Sequence, residues 1–433
     1  DRFNVALVAF SEILEKEGHE IHYFSDLSRI SDDVEHFAAS EKPDIIFFGC
    51  SHSSSFGLLE SISEKVKAVS PGTLTVAGGQ YVAGAQTCPP CVDILAKGEG
   101  FIPFYFILNE EPGNLMGSRR IITRADAPRP VVSEFHSKYE AFPYLNLDHL
   151  DFMHMPAGRV YFQMGCLPKG GRYSACKFCG SINVKMHRVA RNFEKVLQTI
   201  SELVSRFNTQ HIFLGEEDLL CNREAAEAVV SALERWRKEN PGVNLTFSAQ
   251  ARVEKVCWNP DLVERFAIVG MKEMQLGIES CSQGIVDAFG GKHLTKLIET
   301  ALRILRCARM QPLGHILIGL PGETVESIGL MKEKVSDWMG RGLLSFPEMR
   351  YPIFYKGTEF GNHPEKYGIR ILEKDPKLLV GERGAPTFEY DRLSRQEMAA
   401  KMKEFFAEVN RRFRQRIEAN PGWRAGAKRT TPF

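Results

Sequence analysis

The chain has 433 residues, of which 43% are hydrophobic and 25% charged, and this length is sufficient for about three domains. Such values are typical of folded globular proteins and exclude a disordered chain, a fibrous repeat and a small peptide. The net charge of +1 gives no general attraction to nucleic acid. No apolar run approaches the roughly 18 residues of a membrane span, and residues 1–4 do not resemble an export signal. We therefore expect a soluble, cytoplasmic protein that binds no nucleic acid and has no membrane span.

Residues 1–125 alternate between helical patterns and short apolar runs. The runs at 21–24, 44–48, 74–77 and 94–96 predict strands, and residues 12–18, 32–40 and 58–70 predict the helices between them. This alternation is typical of a doubly wound, Rossmann-like domain with a parallel sheet. Because residues 5–14 already have a helical pattern, we expect that the first strand of this domain is missing from the chain.

Ligands of a doubly wound sheet bind at the carboxyl ends of its strands. Three of these predicted ends are rich in small or polar residues, and the candidates there are Ser51, His52, Ser53, Gly78, Gly79, Gln80, Gly98, Glu99 and Gly100. Small residues allow backbone N–H groups to approach a bulky or anionic ligand closely. Any one of these loops is more typical of an ordinary strand-to-helix turn, but the three together favour a wide ligand.

A second region of alternating strands and helices follows a proline-containing linker at residues 126–157. Strands are predicted at 160–164, 211–214, 244–248, 273–278, 315–318 and 349–353, and helices at 193–207, 224–239, 260–268, 294–307 and 325–338. This repeat predicts a partial (β/α)6 barrel of the TIM type at 158–356, with its chemistry at the carboxyl ends of the strands. Residues 357–433 form a C-terminal extension with a helix at 394–418, in which the arginine-rich stretch 411–416 indicates a solvated face rather than a phosphate site.

Ten cysteines are too few and too scattered for a secreted disulfide framework. Cys166, Cys176 and Cys179 follow the first barrel strand with the spacing Cys-x9-Cys-x2-Cys. Three thiolates can hold three irons of a [4Fe–4S] cluster and leave the fourth iron open to a ligand. The alternative is a zinc site completed by His187 or Cys221. The position at the mouth of a barrel favours the iron–sulfur cluster.

Cys88 and Cys91 form a second pair, separated by two prolines. Their spacing permits a redox pair or half of a metal site. Two ligands are insufficient for a metal, and the proline pair favours an ordinary loop.

The cysteine loop, the barrel and the later motifs together resemble the radical S-adenosylmethionine (SAM) enzymes over residues 159–369. The most specific motifs beyond the cysteines are Leu-Gly-Ile-Glu-Ser at 276–280 and Ile-Gly-Leu-Pro-Gly-Glu-Thr at 318–324. The turn at 356–360 is similar to the Pro-Gly-Thr turn of the family, with Lys356 in place of proline. The usual family spacing is Cys-x3-Cys-x2-Cys, so this loop is six residues longer between its first two cysteines.

The resemblance implies a [4Fe–4S] cluster on the three cysteines and SAM bound by its amino and carboxylate groups to the open iron, from which reduction releases a 5′-deoxyadenosyl radical. The positions that match SAM contacts of the family are Phe178, Gly215, Glu216, Ser248, Gln250, Arg252, Glu279, Ile318 and Gly319. Phe178, Ile318 and Gly319 would flank the adenine, and Glu216 would lie near the amino group. Two of these residues have simpler alternatives, since Arg252 could pair with Glu254 and Glu279 could cap the next helix.

The N-terminal domain resembles the cobalamin-binding domain of the B12-dependent branch of this family, whose shallow loops of glycine and serine suit a flat corrin ring. The nine loop residues named above then become cobalamin contacts. The Asp-x-His-x-x-Gly motif that supplies a histidine to cobalt in other B12 proteins is absent, and His52 is the nearest candidate for a lower ligand.

The branch implies a methyltransferase that moves a methyl group from SAM through cobalamin to a carbon of a small-molecule or peptide substrate, with flavodoxin or ferredoxin as electron donor. The alternatives are a ring-forming or oxidative rearrangement without methyl transfer, and a non-catalytic corrinoid- or zinc-binding protein. Gln163, Arg350, Tyr351 and Tyr355 lie near predicted strand ends and could face the substrate, whose identity the sequence does not specify.

Overall fold

The computed structural model describes residues 14, 18–22, 24, 30–50, 53–79, 82, 90–96, 121–123, 157–166, 176–180, 187–290, 294–373 and 385–419. Two larger sheets organise this part of the chain, a four-stranded one in the N-terminal region and a six-stranded one in the barrel region. The predicted fold class, a doubly wound domain followed by a partial barrel and a helical extension, is confirmed.

The N-terminal sheet has the strand order β1–β2–β3–β4. Its elements in chain order are α1 (Ile30–Glu41), β1 (Ile45–Gly49), α2 (Ser53–Val69), β2 (Leu74–Gly78), β3 (Ile94–Ala96) and β4 (Ile121–Thr123). The first three strands run parallel, and β4 is antiparallel to β3. Val76, Ala77 and Leu95 are buried, as expected for strands of a sheet that is covered on both faces.

Two expectations for this region are wrong. Residues 21, 22 and 24 do not form a strand, because His22 and Phe24 pack against the ring of Phe37 on α1 instead, with ring centroids 4.5 and 5.4 Å away. Ser53, expected in the loop after β1, is the first residue of helix α2, since serine is well suited to the start of a helix.

Several sequence-based expectations lie outside the described residues. These are the loop residues Ser51, His52, Gln80, Gly98, Glu99 and Gly100, the thiol of Cys88, most of the helix at 12–18, and the linker up to residue 156. The side chain of Ser53 is also outside the described part of the structure. The cobalamin contacts predicted for these residues therefore stay predictions.

The second sheet is a curved row of six parallel strands that follow one another in chain order. The strands of this region are β5 (Ala157–Val160), β6 (Gln163–Met164), β7 (Arg188–Val189), β8 (His211–Leu214), β9 (Thr246–Arg252), β10 (Met271–Glu279), β11 (Gln311–Leu317), β12 (Phe346–Arg350), β13 (Arg370–Ile371) and β14 (Phe388–Glu389). The helices are α3 (Phe193–Phe207), α4 (Arg223–Glu239), α5 (Val253–Trp258), α6 (Pro260–Ile268), α7 (Gln283–Ala288), α8 (Ile298–Cys307), α9 (Val325–Gly340), α10 (Glu359–Asn362) and α11 (Arg395–Ala419), with 3-10 turns at Thr295–Leu297 and Pro364–Tyr367. The six-stranded row runs β5–β8–β9–β10–β11–β12, which is the strand order of a partial (β/α)6 barrel.

Side chains alternate along the barrel strands between an apolar outer face and a polar lumen. In β10, Met274, Leu276 and Ile278 are fully buried in the continuous core between the sheet and the helices. Glu273 and Gln275 lie on the opposite face of the same strand. The lumen of the barrel is therefore lined by groups that can form hydrogen bonds.

The helix boundaries follow from local capping. Asn192 accepts a hydrogen bond from the backbone N–H of Lys195 at the start of α3, and Asn208 ends this helix in a left-handed conformation. Asn222 caps α4 in the same way. Thr324 and Ser327 cap α9 reciprocally. These capping residues mark the helix ends in the sequence itself, and the predicted helices α3, α4 and α9 are confirmed.

Five of the six barrel strands differ from the predicted ones in their bounds, and β12, for example, is Phe346–Arg350 rather than 349–353. The first ends at Val160, because the N–H groups of Phe162 and Gln163 donate to the carboxylate of Glu216 rather than to a neighbouring strand. Gln163 and Met164 instead pair antiparallel with β7. The third strand continues to Arg252, since alternation of buried apolar and polar residues persists beyond residue 248.

The C-terminal helix α11 packs against α9 and β12. Ser336 on α9 donates to Glu408 and accepts from Arg412 at 2.8 Å, and Arg416 donates to the carbonyl of Leu344 at 3.1 Å. Arginines of the 411–416 stretch thus bind groups of the protein itself. Within the described ranges, no helix is both long and apolar enough to cross a membrane.

Candidate active site

A short turn presents Cys176 and Cys179 near the carboxyl ends of the barrel strands. The N–H of Cys179 donates to the carbonyl of Cys176 at 2.9 Å. The N–H of Lys177 donates to Phe289, and its carbonyl accepts from Phe360, at 3.0 and 3.1 Å. Both cysteines are partly buried, as is Cys166 after β6. Backbone bonds from two separate parts of the barrel therefore hold this turn in place.

Aromatic rings surround the same turn. Phe178, expected beside the adenine, packs edge-to-face on Phe289 with a centroid separation of 5.2 Å. A Cβ on Gly180 would lie 3.4 Å from the ring of Tyr355. Tyr355, one of the four residues that could face the substrate, thus packs against the cysteine turn.

Glu216, expected at the amino group of SAM, is completely buried. Its Oε1 accepts hydrogen bonds from the N–H groups of Phe162 at 2.8 Å and Gln163 at 3.4 Å, whereas Oε2 has no partner in the described part of the structure. Burial raises the pKa of this carboxyl to about 7. Glu216 therefore shapes the chain before Cys166 and keeps one oxygen free for a further donor.

The residues on either side of Glu216 are equally constrained. Glu217 accepts a hydrogen bond at 2.8 Å from the N–H of Gly165, directly before Cys166. A Cβ on Gly215 would lie only 2.5 Å from the ring of Tyr161, so glycine is required by this close approach. The end of β8 and the start of the cysteine loop are therefore tied together.

The two residues considered as a fourth zinc ligand both contact Gln163. His187 Nε2 lies 2.7 Å from Gln163 Oε1, and the thiol of Cys221 donates to the same oxygen at 3.9 Å. The amide of Gln163 also donates to the carbonyl of Leu219 at 2.8 Å. Gln163 is therefore buried in a network of contacts within the protein. Among the described residues, no three His, Cys, Asp or Glu side chains form a group that could hold one metal ion.

Arg252 lies in a buried group of charges at the end of β9. Its Nη2 is 2.6 Å from Glu254 Oε1, and its backbone N–H donates to Asp218 at 3.3 Å. All three side chains are buried, and burial raises the pKa of Asp218 to about 6 against the attraction of Arg252. Burial opposes the charge of the Arg252 guanidinium, but Glu254, Asp218 and the nearby Cys166 and Cys176 raise its pKa. The simpler alternative for Arg252, pairing with Glu254, is confirmed, and the same group borders the cysteine loop.

Ser248 and Gln250 lie within β9 rather than at its end, and both have partners in the barrel. Ser248 is 2.7 Å from Nε2 of His211, a residue whose pKa is lowered by burial. The side-chain amide of Gln250 donates to the backbone carbonyl of Glu216 at 3.0 Å, and the backbone carbonyl of Gln250 accepts from the N–H of Leu219 at 2.9 Å. Gln250 therefore fixes the loop that carries Glu216.

Glu279 has a left-handed backbone with φ of +58° and a buried side chain. This conformation is uncommon for residues other than glycine and is frequently found at functional sites. The ends of the next two strands, β11 and β12, lie side by side at the same edge of the site, since the N–H of Ile318 donates to the carbonyl of Arg350 at 2.9 Å. Gly319 follows with φ of +97°.

A ladder of polar side chains crosses three strands inside the lumen. Gln275 donates to Glu273 at 3.3 Å and lies 3.1 Å from His315 Nε2, and His315 Nδ1 lies 3.0 Å from Glu348. Glu348 also binds Arg350 at 2.5 Å. The bond to His315 lowers the pKa of Glu348 to about 2, whereas burial raises that of Glu273 to about 7. Near pH 7 Glu348 is therefore ionised, whereas Glu273 is only partly ionised.

We expect the substitution Glu273→Gln to change how stability depends on pH. A carboxyl whose pKa is about 7 when folded and near 4.5 when unfolded is uncharged in both states in acid. As pH rises the unfolded chain ionises first, so the carboxyl costs stability progressively between pH 4.5 and 7 and fully above 7. The unfolding free energy of the variant, relative to that of the parent, should therefore rise by about 2–3 kcal/mol from pH 5 to pH 8, as measured by denaturant unfolding. In the control Glu224→Gln, at an exposed position, this difference from the parent should not change with pH. The prediction would be contradicted if the difference for Glu273→Gln were also the same at pH 5 and pH 8.

In the N-terminal domain, the ends of β1 and β2 are brought together. The N–H of Cys50 donates to the carbonyl of Gly78 at 2.7 Å, and burial raises the pKa of the Cys50 thiol to about 12. Gly79 has φ of +119°, and a Cβ there would lie 2.4 Å from the carbonyl oxygen of Cys50. Only glycine fits at this crossing. The fold thus joins the starts of two of the three loops predicted to contact cobalamin.

Sequence reasoning missed several charged residues around the site. Asp218, Glu273, His315 and Glu348 were not identified, and Glu254 was named only as a partner for Arg252; all five are buried or half-buried in polar contacts. The alternation of polar and apolar residues in β10 and β11 is the signal that would have placed Glu273 and His315 in the lumen. Asp218 and Glu254 lie in loops and at a helix start, where no periodicity indicates burial.

Two family models match the chain. A B12 binding domain matches residues 1–104, and the radical SAM superfamily matches residues 171–335. The second match begins after Cys166 and ends before the C-terminal extension. Together the two matches agree with the two sheets of the structure.

Curated relatives are distant in sequence. An uncharacterized methyltransferase of Pyrococcus horikoshii is 21% identical over 338 residues, which cover 74% of this chain and 70% of that protein. The anaerobic magnesium-protoporphyrin IX monomethyl ester cyclase of Cereibacter sphaeroides is 22% identical over 75% of this chain. The chain spans 55% of the length of this cyclase.

Solved structures share the fold over both domains. The radical SAM methyltransferase TsrM from Kitasatospora setae, with tryptophan substrate and a SAM analog bound, superposes with a TM-score of 0.71 at 13% identity and covers 94% of this chain and 86% of that one. The cobalamin-dependent radical enzyme OxsB, with aqua-cobalamin and SAM bound, gives 0.69 at 15% identity and covers 93% and 64%. At these identities the likeness concerns the fold.

Proposed function

Because the chain belongs to the radical SAM enzymes that carry a B12-binding domain, we propose that it is a cobalamin-dependent methyltransferase acting on a carbon of a small-molecule or peptide substrate. The observation that carries this proposal is the joining, in one chain, of a corrinoid-type domain with a barrel whose cysteine loop is held at the carboxyl ends of its strands. When bound, the cluster, SAM and cobalamin would supply radical formation and a transferable methyl group. The likeness in fold to a methyltransferase over both domains supports this choice.

The residues of the barrel fit an iron–sulfur cluster with an open iron. Three partly buried cysteines supply thiolate donors, and no disulfide occupies them. The unpartnered oxygens of Glu216 and Asp218 lie buried after β8 and can accept hydrogen bonds from a bound amino group. In this proposal Cys166, Cys176 and Cys179 hold the cluster, while the loop after β8 and Arg252 bind the polar end of SAM.

The residues of the N-terminal domain fit a flat ligand. A Cβ on Gly79 would meet the backbone of Cys50, so glycine lets the ends of β1 and β2 cross closely and leaves an exposed residue without a side chain at this edge. A surface of backbone groups allows a wide ring to lie close to the loops. We assign cobalamin to this edge, with Gly78 and Gly79 among its contacts.

An electron donor is required, because radical SAM chemistry begins with reduction of the cluster. We propose flavodoxin or ferredoxin in this role. The identity of the methyl acceptor stays open between small molecules and peptides. Arg350, at the carboxyl end of β12 and 40% exposed, is the residue proposed to lie closest to it.

The second candidate is a rearrangement or ring closure without methyl transfer. It is favoured by the relatives that are named as cyclases. Both candidates use the same cofactors, so the structure of the site alone does not separate them. The matches to enzymes in both domains disfavour a non-catalytic corrinoid- or zinc-binding protein.

A labelling experiment separates the two candidates without knowledge of the substrate. Reconstituted protein is incubated anaerobically with reduced cobalamin and methyl-labelled SAM, and the corrinoid fraction is analysed. A methyltransferase is expected to place label in that fraction and to release S-adenosylhomocysteine in equal amount. Formation of 5′-deoxyadenosine alone, with an unlabelled corrinoid, would favour the rearrangement. A protein that takes up neither iron nor corrinoid would contradict both candidates.

A further inference from the structure

Gly319 is fixed from several directions in a conformation that only glycine adopts easily. Its φ is +97°. Its N–H donates to the carboxylate of Glu323, and its carbonyl accepts a hydrogen bond from the hydroxyl of Tyr390 at 2.8 Å. A Cβ at this position would lie 2.8 Å from the Phe388 ring and 2.9 Å from the sulfur of Met398. The peptide groups on both sides of Gly319 are therefore immobilised.

Most of these contacts come from the C-terminal segment. Phe388, Tyr390 and Met398 lie at 385–419, beyond the residues that match the radical SAM model. The ring of Phe388 packs edge-to-face on Phe354 at 4.7 Å and on Tyr390 at 5.8 Å. Each of the three residues is at least nine-tenths buried. A rigid aromatic group thus connects this segment to the end of β11.

Burial keeps the tyrosine of this group protonated and opposes ionisation of its carboxyl group. Burial raises the pKa of Tyr390 well above its ordinary value, so its hydroxyl remains a donor. Burial also raises the pKa of Glu323 to about 8, against the hydrogen bonds from Gly319 and Leu320. The hydroxyl of Tyr390 is the group that satisfies the buried carbonyl of Gly319. Removing it would leave that carbonyl without this partner.

We propose that Tyr390 is a positioning residue for SAM, which orients the Gly319–Leu320 peptide, next to the Ile318–Gly319 segment beside the adenine, from outside the barrel. The inference rests on the proposed function, because it takes this peptide as part of the SAM site. Without this bond the Gly319–Leu320 peptide loses one of the contacts that fix it, so SAM would have to order it on binding. The C-terminal segment therefore contributes to cofactor affinity without contacting the cofactor.

The test compares SAM binding in two variants. Tyr390→Phe removes the bond to Gly319 and keeps the ring. Ser336→Ala is the matched control, because it removes a hydroxyl that ties the same segment to α9 and leaves Gly319 untouched. SAM dissociation constants are measured by anaerobic equilibrium dialysis on reconstituted protein, together with iron content, corrinoid content and melting temperature.

We expect Tyr390→Phe to bind SAM about tenfold more weakly, equivalent to ~1.4 kcal/mol. Iron and corrinoid contents should be unchanged, and in turnover the KM for SAM should rise while kcat changes little. Ser336→Ala should bind SAM as the parent does. Equal affinity of Tyr390→Phe and the parent, or equal weakening in both variants, would overturn the inference. If the parent protein itself binds no SAM, the proposed function fails, and that result is distinct from either pattern.

Discussion

Substitution of Cys176 by serine is expected to eliminate the iron–sulfur cluster and, with it, cleavage of SAM. Cys176 directly precedes Lys177, whose backbone bonds to Phe289 and Phe360 hold the turn, and its side chain is partly buried, as are those of Cys166 and Cys179. A serine hydroxyl is a far poorer ligand for iron than a thiolate. Iron should fall from about four atoms to less than about one per chain after anaerobic reconstitution. The broad visible absorption should disappear, and dithionite should no longer yield 5′-deoxyadenosine.

The matched control is Cys307→Ser. Cys307 is exposed at the end of α8, and its replacement leaves the turn at Cys176 intact. This variant should keep its iron and its reaction with SAM. Retention of iron by Cys176→Ser, or an equal loss in the control, would show that the three-cysteine loop is not the cluster site. Zinc in place of iron in the parent protein would instead support the zinc site considered in the sequence analysis.

The fold could be predicted from the sequence because helix caps and apolar runs are local sequence patterns. Asn192, Asn222 and Thr324 cap helices that were predicted to begin within one residue of the observed starts. Six apolar runs gave the six barrel strands in their correct order. The exact strand ends were less accessible. The first strand ends at Val160 because the N–H groups of Phe162 and Gln163 donate to Glu216, which lies more than 50 residues later in the chain. No local sequence pattern predicts that contact.

The candidate site was accessible only in part. The cysteine spacing identified the loop, and the short motifs identified Glu279 and Gly319, which have unusual backbone conformations. Neither motif indicated that Gly319 is held by Tyr390, which lies 71 residues further along the chain. Likewise, Arg252 was recognised as a site residue, but the balance of its charge by Asp218 depends on a contact in the folded protein between residues that are distant in sequence. Contacts of this kind depend on how distant loops pack and leave no periodic trace.

The buried charges around Arg252 make its replacement one of the most destabilising changes expected in the barrel. In Arg252→Met, Glu254 loses its partner at 2.6 Å, and Asp218 loses the charge that opposes its desolvation. Removing one member of a buried ion pair leaves an uncompensated charge and costs about 3–5 kcal/mol. Part of this cost can be relieved if Asp218 takes up a proton, because its pKa of about 6 would rise further. The variant should therefore lose more stability at pH 8 than at pH 5.

A double variant separates the stability of this group from its role toward SAM. Arg252→Met combined with Glu254→Gln removes both charges, so we expect it to regain most of the unfolding free energy lost by the single substitution. Denaturant unfolding of the parent, both single variants and the double variant gives the coupling energy. If Arg252 also contacts SAM, the double variant should fold and retain iron while binding SAM at least ~10-fold more weakly. SAM affinity equal to that of the parent would restrict Arg252 to pairing with Glu254, whereas failure of the double variant to regain stability would contradict the charge compensation described for this site.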